Sequence, residues 1–134
     1  MYDCLEIFIK PHFFLVAIKM SDEAIFIKKG NQKSEISKPG KLYRLMFKSD
    51  EMEAIVSELD AHTESRWFKH KGEEMHLVLR GEMEYIVGEK SYNISEGDIL
   101  WHQSNIKHRA KNTSNEKVVY ITIGTPPTFS MSML

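Results

Sequence analysis

From Ala24 onward, hydrophobic and polar residues alternate in short runs, and no stretch shows a convincing helical period of 3.6 residues. Turn-forming pairs such as Gly88-Glu89 and Ser114-Asn115 separate these runs. Many short strands at this spacing are typical of a sandwich or barrel, so the pattern predicts an all-β protein. The predicted strands cover residues 24–28, 41–47, 52–58, 65–70, 74–80, 82–87, 90–94, 98–102, 107–112 and 117–123.

Strand alternation predicts which side chains face the interior. An inward-facing His70 places Phe68 and Arg66 on the same face, because successive side chains of a strand point to opposite sides. By the same rule an inward-facing Glu74 brings His76 inward. Arg66 either clamps a carboxylate or phosphate of a ligand or is an exposed charge at the rim. The predicted ligand pocket is therefore lined by Arg66, Phe68, His70, Glu74, His76 and His108.

Three residues of this set form a candidate metal site. His70, Glu74 and His108 are the ligand types of the two-histidine, one-carboxylate triad, which leaves one side of an iron(II) ion open for substrate or oxygen. The same set suits zinc, manganese or nickel. The sequence therefore predicts one divalent metal but does not identify it. The alternative is a buried, hydrogen-bonded cluster that holds no metal. His76 is expected to be a pocket-wall or hydrogen-bonding residue, and His102 to be structural or surface-facing.

The two blocks that contain these residues resemble the motifs of the cupin family. The first block supplies His70, Glu74 and Gly81 at matching positions, and the second supplies Gly97, His108 and Asn112. The resemblance covers about half of the chain. It implies a double-stranded β-helix, which is a jelly-roll barrel, and it implies dimers.

The departures from the family pattern affect the chemistry. Phe68 stands where the first histidine of the His-x-His pair is expected, and Gln103-Ser104-Asn105 replaces Pro-x-Gly in the second motif. The opening glycine has no counterpart either. The pattern therefore excludes a four-ligand site and leaves a three-ligand site.

A narrower resemblance covers nearly all of residues 25–129. Ser37–Tyr43 and the phrase Thr125-Pro126-Pro127-Thr128-Phe129 are similar to the sensor domain of regulators that join a helix-turn-helix to a cupin. In that family the cupin is taken to bind a small effector and a separate domain to bind DNA. The chain is expected to lack room for such a DNA-binding domain.

Length, charge and cysteine content agree with one domain that binds neither DNA nor membrane. The chain has 134 residues, 18 basic and 19 acidic side chains, and a formal net charge of −1, so no overall charge attracts nucleic acid. Its only cysteine, Cys4, excludes an intrachain disulfide and favours a reducing, cytoplasmic setting. The apolar run Phe13–Ile18 is too short for a membrane span. The cupin domain is expected over residues 20–134, preceded by an extra strand or by upstream sequence over residues 1–19.

These observations leave three hypotheses for function. The first is a stand-alone metal-binding cupin that binds a small molecule, is sensor-like and non-catalytic, and forms a homodimer. The second is a mononuclear metal enzyme, either an iron-dependent oxygenase or an isomerase, because the triad resembles that of a helix-turn-helix-cupin phosphonate epoxidase. The third is an interaction module whose pocket is vestigial.

Overall fold

The computed structural model describes residues 23–31 and 34–127, which belong to two compact units, Met1–Asn31 and Gln32–Leu134. In the first unit, residues 23–28 form no strand, and a turn follows in which Asn31 N donates to Lys28 O at 3.0 Å. The prediction of a strand at 24–28 is therefore wrong, because an alternating pattern becomes a strand only where a partner pairs with it. The predicted extension, residues 1–19, lies outside the described residues.

The second unit consists of antiparallel strands. Within residues 34–127 the strands are β1 (Ser34–Lys38), β2 (Lys41–Lys48), β3 (Glu53–Leu59), β4 (Glu73–Arg80), β5 (Glu82–Val87), β6 (Lys90–Ser95), β7 (Ile99–Gln103), β8 (His108–Lys111) and β9 (Val118–Thr125). One sheet has the order β1-β2-β3-β9-β4-β7, and the other has the order β6-β5-β8. The prediction of an all-β fold is confirmed. No helix in the described residues is long and apolar enough to cross a membrane.

Alternating burial along the central strands builds the interior. On β4, Glu74, His76 and Val78 are buried, whereas Glu73, the first residue of the strand, is exposed. This is the period of two that a strand with one covered face requires. The interior contains a small hydrophobic cluster of Tyr43 and Ile55 and a larger one of Leu59, Val78, Met83, Tyr85, Ile94, Ala110, Val118 and Tyr120. The inward-facing polar residues of β4 lie beside the larger cluster, since the His76 ring is 4.2 Å from the Tyr85 ring between centroids.

The second unit departs from the predicted strands at two places. Residues 65–70 form an irregular segment in which Phe68 makes an isolated bridge to His108, and a second isolated bridge, Glu64–Lys111, lies just before it. β1, in contrast, is not predicted, because its Ser- and Lys-containing sequence has little hydrophobic alternation. It forms as the outer half of a hairpin on β2, in which Lys38 pairs with Lys41 across the Pro39-Gly40 turn.

Asn112 stabilises the loop between β8 and β9. Its buried side-chain amide donates to the carbonyl oxygens of Leu59 at 3.0 Å, Asp60 at 3.1 Å and Glu116 at 2.8 Å. Its Oδ1 accepts from the Ser114 backbone N–H at 3.0 Å. These bonds join the start of the loop to the end of β3 and to the loop's own backbone.

We expect Asn112→Ala to lower the free energy of unfolding by about 2 kcal/mol, because buried carbonyl groups lose their donors. Urea denaturation of the metal-free protein measures this difference. The matched control is Asn93→Ala on β6, where the side chain is exposed and the cost should stay within about 0.5 kcal/mol. Equal costs for the two variants would contradict the role assigned to Asn112.

Candidate metal centre

The carboxylate of Glu74 lies at the centre of a group of four histidines. Glu74 is buried, at 4% exposure, on β4 between β7 and β9. One histidine precedes the strand, one lies on the strand itself, and the others come from β7 and from the start of β8. The distance from each Nε2 atom to a Glu74 carboxylate oxygen is 3.0 Å for His70, 3.3 Å for His76, 3.5 Å for His102 and 3.2 Å for His108.

The three residues of the predicted triad converge. His70 Nε2 is 3.0 Å from Glu74 Oε2, and His108 Nε2 is 3.2 Å from Glu74 Oε1. The Lys71-Gly72 turn between His70 and Glu74 folds the chain back, and Gly72 has a φ of +99° that L side chains rarely adopt. This turn and the register of the strands thus bring together side chains that are distant in sequence. Alternation along a single strand does not predict that they meet.

A second pair of histidines lies deeper on the same face. His76 follows Glu74 by two residues on β4, and His102 lies directly opposite Glu74 in the β4–β7 register. Residues directly opposite each other in an antiparallel pair project to the same side of the sheet, so His102 points at the carboxylate. His76 Nε2 and His102 Nε2 are 3.0 Å apart. Glu74, His76 and His102 therefore form a second group with the spacing of metal ligands, which shares Glu74 with the predicted triad.

His102 is not among the predicted ligands, and of the two alternatives expected for it, structural or surface-facing, the surface-facing one is wrong. Its exposure is 5%, whereas its neighbour Trp101 is 53% exposed. The signal in the sequence is the alternation along β7, because an outward-facing Trp101 places His102 inward. Four histidines therefore surround the carboxylate, whereas the motif pattern supplies two of them.

Ser104 is a further residue that the sequence reasoning missed. Its fully buried hydroxyl donates to Glu74 Oε2 at 2.8 Å. Its backbone N–H donates to Gly72 O at 2.8 Å, and its carbonyl accepts from His70 N–H at 2.9 Å. The loop that replaces the expected Pro-x-Gly sequence is thereby tied to the turn that carries His70.

Backbone carbonyls determine which ring nitrogen of two histidines carries hydrogen. His102 Nδ1 lies 2.9 Å from Gln103 O, and His108 Nδ1 lies 2.6 Å from Ile106 O. A carbonyl oxygen only accepts, so each Nδ1 must be an N–H donor. In the neutral rings both Nε2 atoms then present lone pairs toward the Glu74 carboxylate, which also only accepts. Such facing lone pairs require a cation between them or protons on the rings.

The donor set fits a divalent metal ion. Metal-binding histidines usually donate their other ring N–H to a carbonyl or carboxylate, as His102 and His108 do. With bonds of about 2.1 Å, neighbouring ligand atoms are about 3.0 Å apart in an octahedron and about 3.4 Å apart in a tetrahedron. The nitrogen-to-oxygen distances of 3.0 to 3.5 Å around Glu74 are close to these values. Imidazole and carboxylate ligands suit iron, zinc, manganese or nickel.

The cluster also alters the pKa values of its members. Burial by itself would raise the pKa of the Glu74 carboxyl, but His102, His108, His70 and His76 outweigh it, and the net pKa lies well below its ordinary value. Burial lowers the pKa of His76 from 6.5 to about 4, despite the opposing effect of Glu74. For His70, burial acts to lower the pKa, but the hydrogen bond to Glu74 and its charge raise it overall. Glu74 is therefore ionised and His76 neutral at pH 7.

The cluster opens onto a small cavity of about 20 Å³. About 10 to 15 Å³ is needed to hold one water molecule, so this cavity has room for a single water or ion. Ser57 Oγ lines this cavity and makes no hydrogen bond of ordinary geometry. Burial raises the pKa of the Tyr120 hydroxyl, and the nearby Ser57 hydroxyl acts to lower it. The lining residues are Tyr43, Ser57, Ser65, Phe68, His70, Glu74, His76, Tyr85, His108, Tyr120 and Thr122.

The predicted pocket residues lie at different depths. Phe68 lines the cavity, with its ring 6.1 Å from the His108 ring between centroids. His76 is buried and its Nδ1 is 2.8 Å from the Thr122 hydroxyl. Arg66 is exposed and does not line the cavity, and its guanidinium carbon lies 5.3 Å from the centroid of the Phe68 ring. A ligand-binding role for Arg66 stays a prediction.

Comparison with known sequences matches the region that contains Glu74 and the four histidines around it. The family model Cupin_2, described as a cupin domain, matches residues 55–124. An uncharacterized protein from Archaeoglobus fulgidus is 33% identical over 64 residues, which are 48% of this chain. The match spans 60% of that relative's own length, so the chain covers less than two thirds of it.

Solved structures share the fold at low sequence identity. KdgF from Halomonas sp. superposes with a TM-score of 0.66 at 16% identity, over 81% of this chain and 98% of that chain. The Cupin_2 domain of an XRE family transcriptional regulator from Enterobacter cloacae superposes with a TM-score of 0.61 at 15% identity, over 66% of this chain and 98% of that chain. At these identities the similarity establishes the architecture and carries no conclusion about ligands.

Proposed function

Because the chain belongs to the cupin family, we propose that it is a metal-binding cupin whose divalent metal anchors a small molecule without turnover. The metal is iron, zinc, manganese or nickel, and His70, Glu74 and His108 hold it. The observation that carries the proposal is the convergence of acceptor atoms on one buried point. His108 Nε2 faces Glu74 Oε1 at 3.2 Å while its Nδ1 hydrogen is directed to a backbone carbonyl. A metal ion between the two groups removes this repulsion.

The residues around the proposed metal have separate tasks. Ser104 donates to Glu74 Oε2 and thereby orients the carboxylate. Ile106 O orients the His108 ring. When bound, the metal supplies a Lewis acid that binds and polarises an oxygen or nitrogen atom of the ligand. The protein thus presents a pre-oriented set of donors at the floor of its cavity.

The dimensions of the cavity limit the proposed ligand. At about 20 Å³ it holds one water-sized group beside the cluster. A larger ligand needs the Phe68 ring to move, since this ring lines the cavity, and it belongs to residues 65–70, which form no strand of their own. We therefore propose that the ligand places a small anionic or carbonyl group on the metal and displaces the Phe68 ring with the remainder.

A metal-dependent enzyme is the second candidate, and His76 is the observation that favours it. This histidine is neutral at pH 7, since burial lowers its pKa to about 4, and its Nε2 is 3.3 Å from Glu74 Oε1. A neutral imidazole beside a metal ligand can accept a proton during an oxygenase or isomerase reaction. The third candidate, a vestigial pocket in an interaction module, applies if the site binds no metal.

A homodimer remains part of the proposal. β7 is an edge strand of the six-stranded sheet, and it exposes Ile99 at 60% and Trp101 at 53%. Edge strands with exposed apolar side chains are suited to pairing with another chain. A second copy that covers β7 is the arrangement that this surface supports.

The proposal is tested by elemental analysis with mass spectrometry on protein purified without chelators. We expect about one equivalent of a single divalent metal, and we expect His108→Ala to lose it while keeping its strand content by circular dichroism. The bound metal should also raise the melting temperature of the native protein, because it binds the folded state.

His62→Ala is the matched control for this experiment. His62 is exposed and bonds through Nε2 to Asn115 Oδ1 at 2.9 Å, away from the cluster. Its variant should retain the metal of the native protein. Native protein that contains no metal and takes none up from added iron(II), zinc, manganese or nickel would overturn the proposal and favour the vestigial pocket.

A further inference from the structure

We infer that His102 is a fourth protein ligand of the proposed metal, and that His76 is a hydrogen-bonding residue that positions the cluster without binding the metal. The inference rests on the proposed function, since it requires a metal at Glu74. It assigns to the metal a residue of β7 that lies outside the cupin motif positions. It also separates the roles of two buried histidines whose Nε2 atoms lie at similar distances from the carboxylate, 3.3 Å and 3.5 Å.

The position of His102 places its Nε2 among the other donor atoms. This atom is 3.5 Å from Glu74 Oε1, the same oxygen that His108 Nε2 approaches at 3.2 Å. The rings of His102 and His108 are 4.5 Å apart between centroids. His102 Nε2 and His108 Nε2 therefore approach the same carboxylate oxygen at distances that are usual between ligands of one ion.

The hydrogen bonds of His102 prepare it as a ligand. Its Nδ1 hydrogen is committed to Gln103 O at 2.9 Å, so in the neutral ring Nε2 carries a lone pair directed into the cluster. His108 has the same arrangement with Ile106 O. Two histidines from different strands thus present bare Nε2 atoms to one carboxylate oxygen.

The hydrogen bonds of His76 prepare it as a donor instead. His76 Nε2 is 3.0 Å from His102 Nε2, and a hydrogen bond at that distance needs one hydrogen. Since His102 Nε2 has none, His76 Nε2 must supply it, and the Thr122 hydroxyl then donates to His76 Nδ1 at 2.8 Å. When the metal takes the lone pair of His102, the His76 N–H still has Glu74 Oε1 as its acceptor at 3.3 Å.

This assignment also decides how many ions the cluster holds. Two groups of three residues with the spacing of metal ligands share Glu74: His70 and His108 complete one, and His76 and His102 complete the other. A second ion in the deeper group would need a bare Nε2 on His76 as well as on His102. Because the 3.0 Å contact between them requires a hydrogen on His76, one ion with His70, Glu74, His102 and His108 is the assignment that the hydrogen bonds support.

The test is a zinc titration of the native, ¹⁵N-labelled protein followed by long-range ¹H–¹⁵N correlation spectra of the histidine rings. Such spectra distinguish a protonated, a bare and a metal-bound ring nitrogen. Metal-free His102→Phe and His76→Gln proteins identify the signals by their loss. If His102→Phe does not fold, His102→Gln serves the same purpose.

We expect the Nε2 signals of His102 and His108 to change from bare to metal-bound together, at about one equivalent of zinc. His76 Nε2 should keep the signal of a protonated nitrogen throughout, and the exposed His62 should not change. If His108 changes and His102 stays bare, the inference fails while the proposed function stands. If His76 also becomes metal-bound, with two equivalents taken up, the single-ion assignment fails. If no histidine signal changes, the proposed function itself fails.

Discussion

Glu74→Gln is expected to lower the metal affinity of the native protein about 1000-fold. The carboxylate belongs to both groups of ligand-type residues, and four histidine Nε2 atoms lie within 3.5 Å of its oxygens. The amide keeps the shape of the side chain but removes the charge that balances the cation. Removing one partner of a buried ionic arrangement costs about 4 kcal/mol, which corresponds to about three powers of ten in affinity. Competition with a chelator of known affinity measures the difference.

Glu73→Gln is the matched control for this substitution. Glu73 is the preceding residue on β4, but it is exposed and its Oε1 accepts from Trp101 Nε1 at 2.8 Å on the other face of the sheet. Its variant should bind metal with native affinity. A Glu74→Gln protein that keeps its affinity within tenfold would show that Glu74 is not a ligand and would leave the carboxylate as a hydrogen-bonding residue.

Gly72→Ala is expected to lower the free energy of unfolding by at least about 3 kcal/mol. Gly72 has a φ of +99°, and a Cβ at this position would lie 1.9 Å from Thr125 O and 2.5 Å from Pro126 Cδ. A left-handed backbone costs a non-glycine residue about 1 to 3 kcal/mol, and forcing an extra methyl group into a packed region costs a similar amount. The melting temperature should fall by roughly 10 °C or more, which differential scanning calorimetry measures.

Gly97→Ala separates the backbone strain from the collision. Gly97 has a similar φ of +89°, but a Cβ there would meet nothing within 4 Å. Its variant should therefore lose only about 1 to 2 kcal/mol. Equal losses at the two positions would show that contact with Thr125 and Pro126 contributes nothing, and that the Gly72 turn is ordered by its backbone conformation alone.

The Gly72 turn also links stability to the candidate site. Gly72 O accepts from Ser104 N–H at 2.8 Å, and Ser104 in turn donates its hydroxyl to Glu74. A displaced turn moves His70, which precedes it, away from Glu74 Oε2. We therefore expect the folded fraction of the Gly72→Ala protein to bind metal more weakly than native protein, whereas Gly97→Ala binds it normally.

Much of the fold could be predicted from the sequence because strand alternation is a local property. The inward-facing residues of β4 follow the period of two, and the glycine turns at Gly72, Gly81 and Gly97 all adopt positive φ. The errors fall where pairing overrides local pattern. Residues 65–70 alternate without forming a ladder beyond an isolated bridge, and β1 forms because β2 is there to pair with it.

The candidate site could be predicted only in part for the same reason. His70, Glu74 and His108 are recognised from residue type and spacing, and the structure brings them together, although whether they bind metal stays a prediction. The position of His102 beside Glu74 could not be predicted, because its own strand does not say which residue lies opposite. Ser104 was missed because its contact with Glu74 depends on how one loop packs against another turn.

The sequence by itself determined the all-β class, the cupin resemblance and the three residues of the proposed triad. These follow from local periodicity, from turn-forming residues and from motif spacing, which can be read along the chain. Only the tertiary structure decided that His102 faces Glu74, that His76 lies between Thr122 and His102, and that the cavity is as small as about 20 Å³. The physical reason is that strand register and loop packing join residues distant in sequence, and hydrogen-bond direction then determines which nitrogen atoms are left to bind a cation.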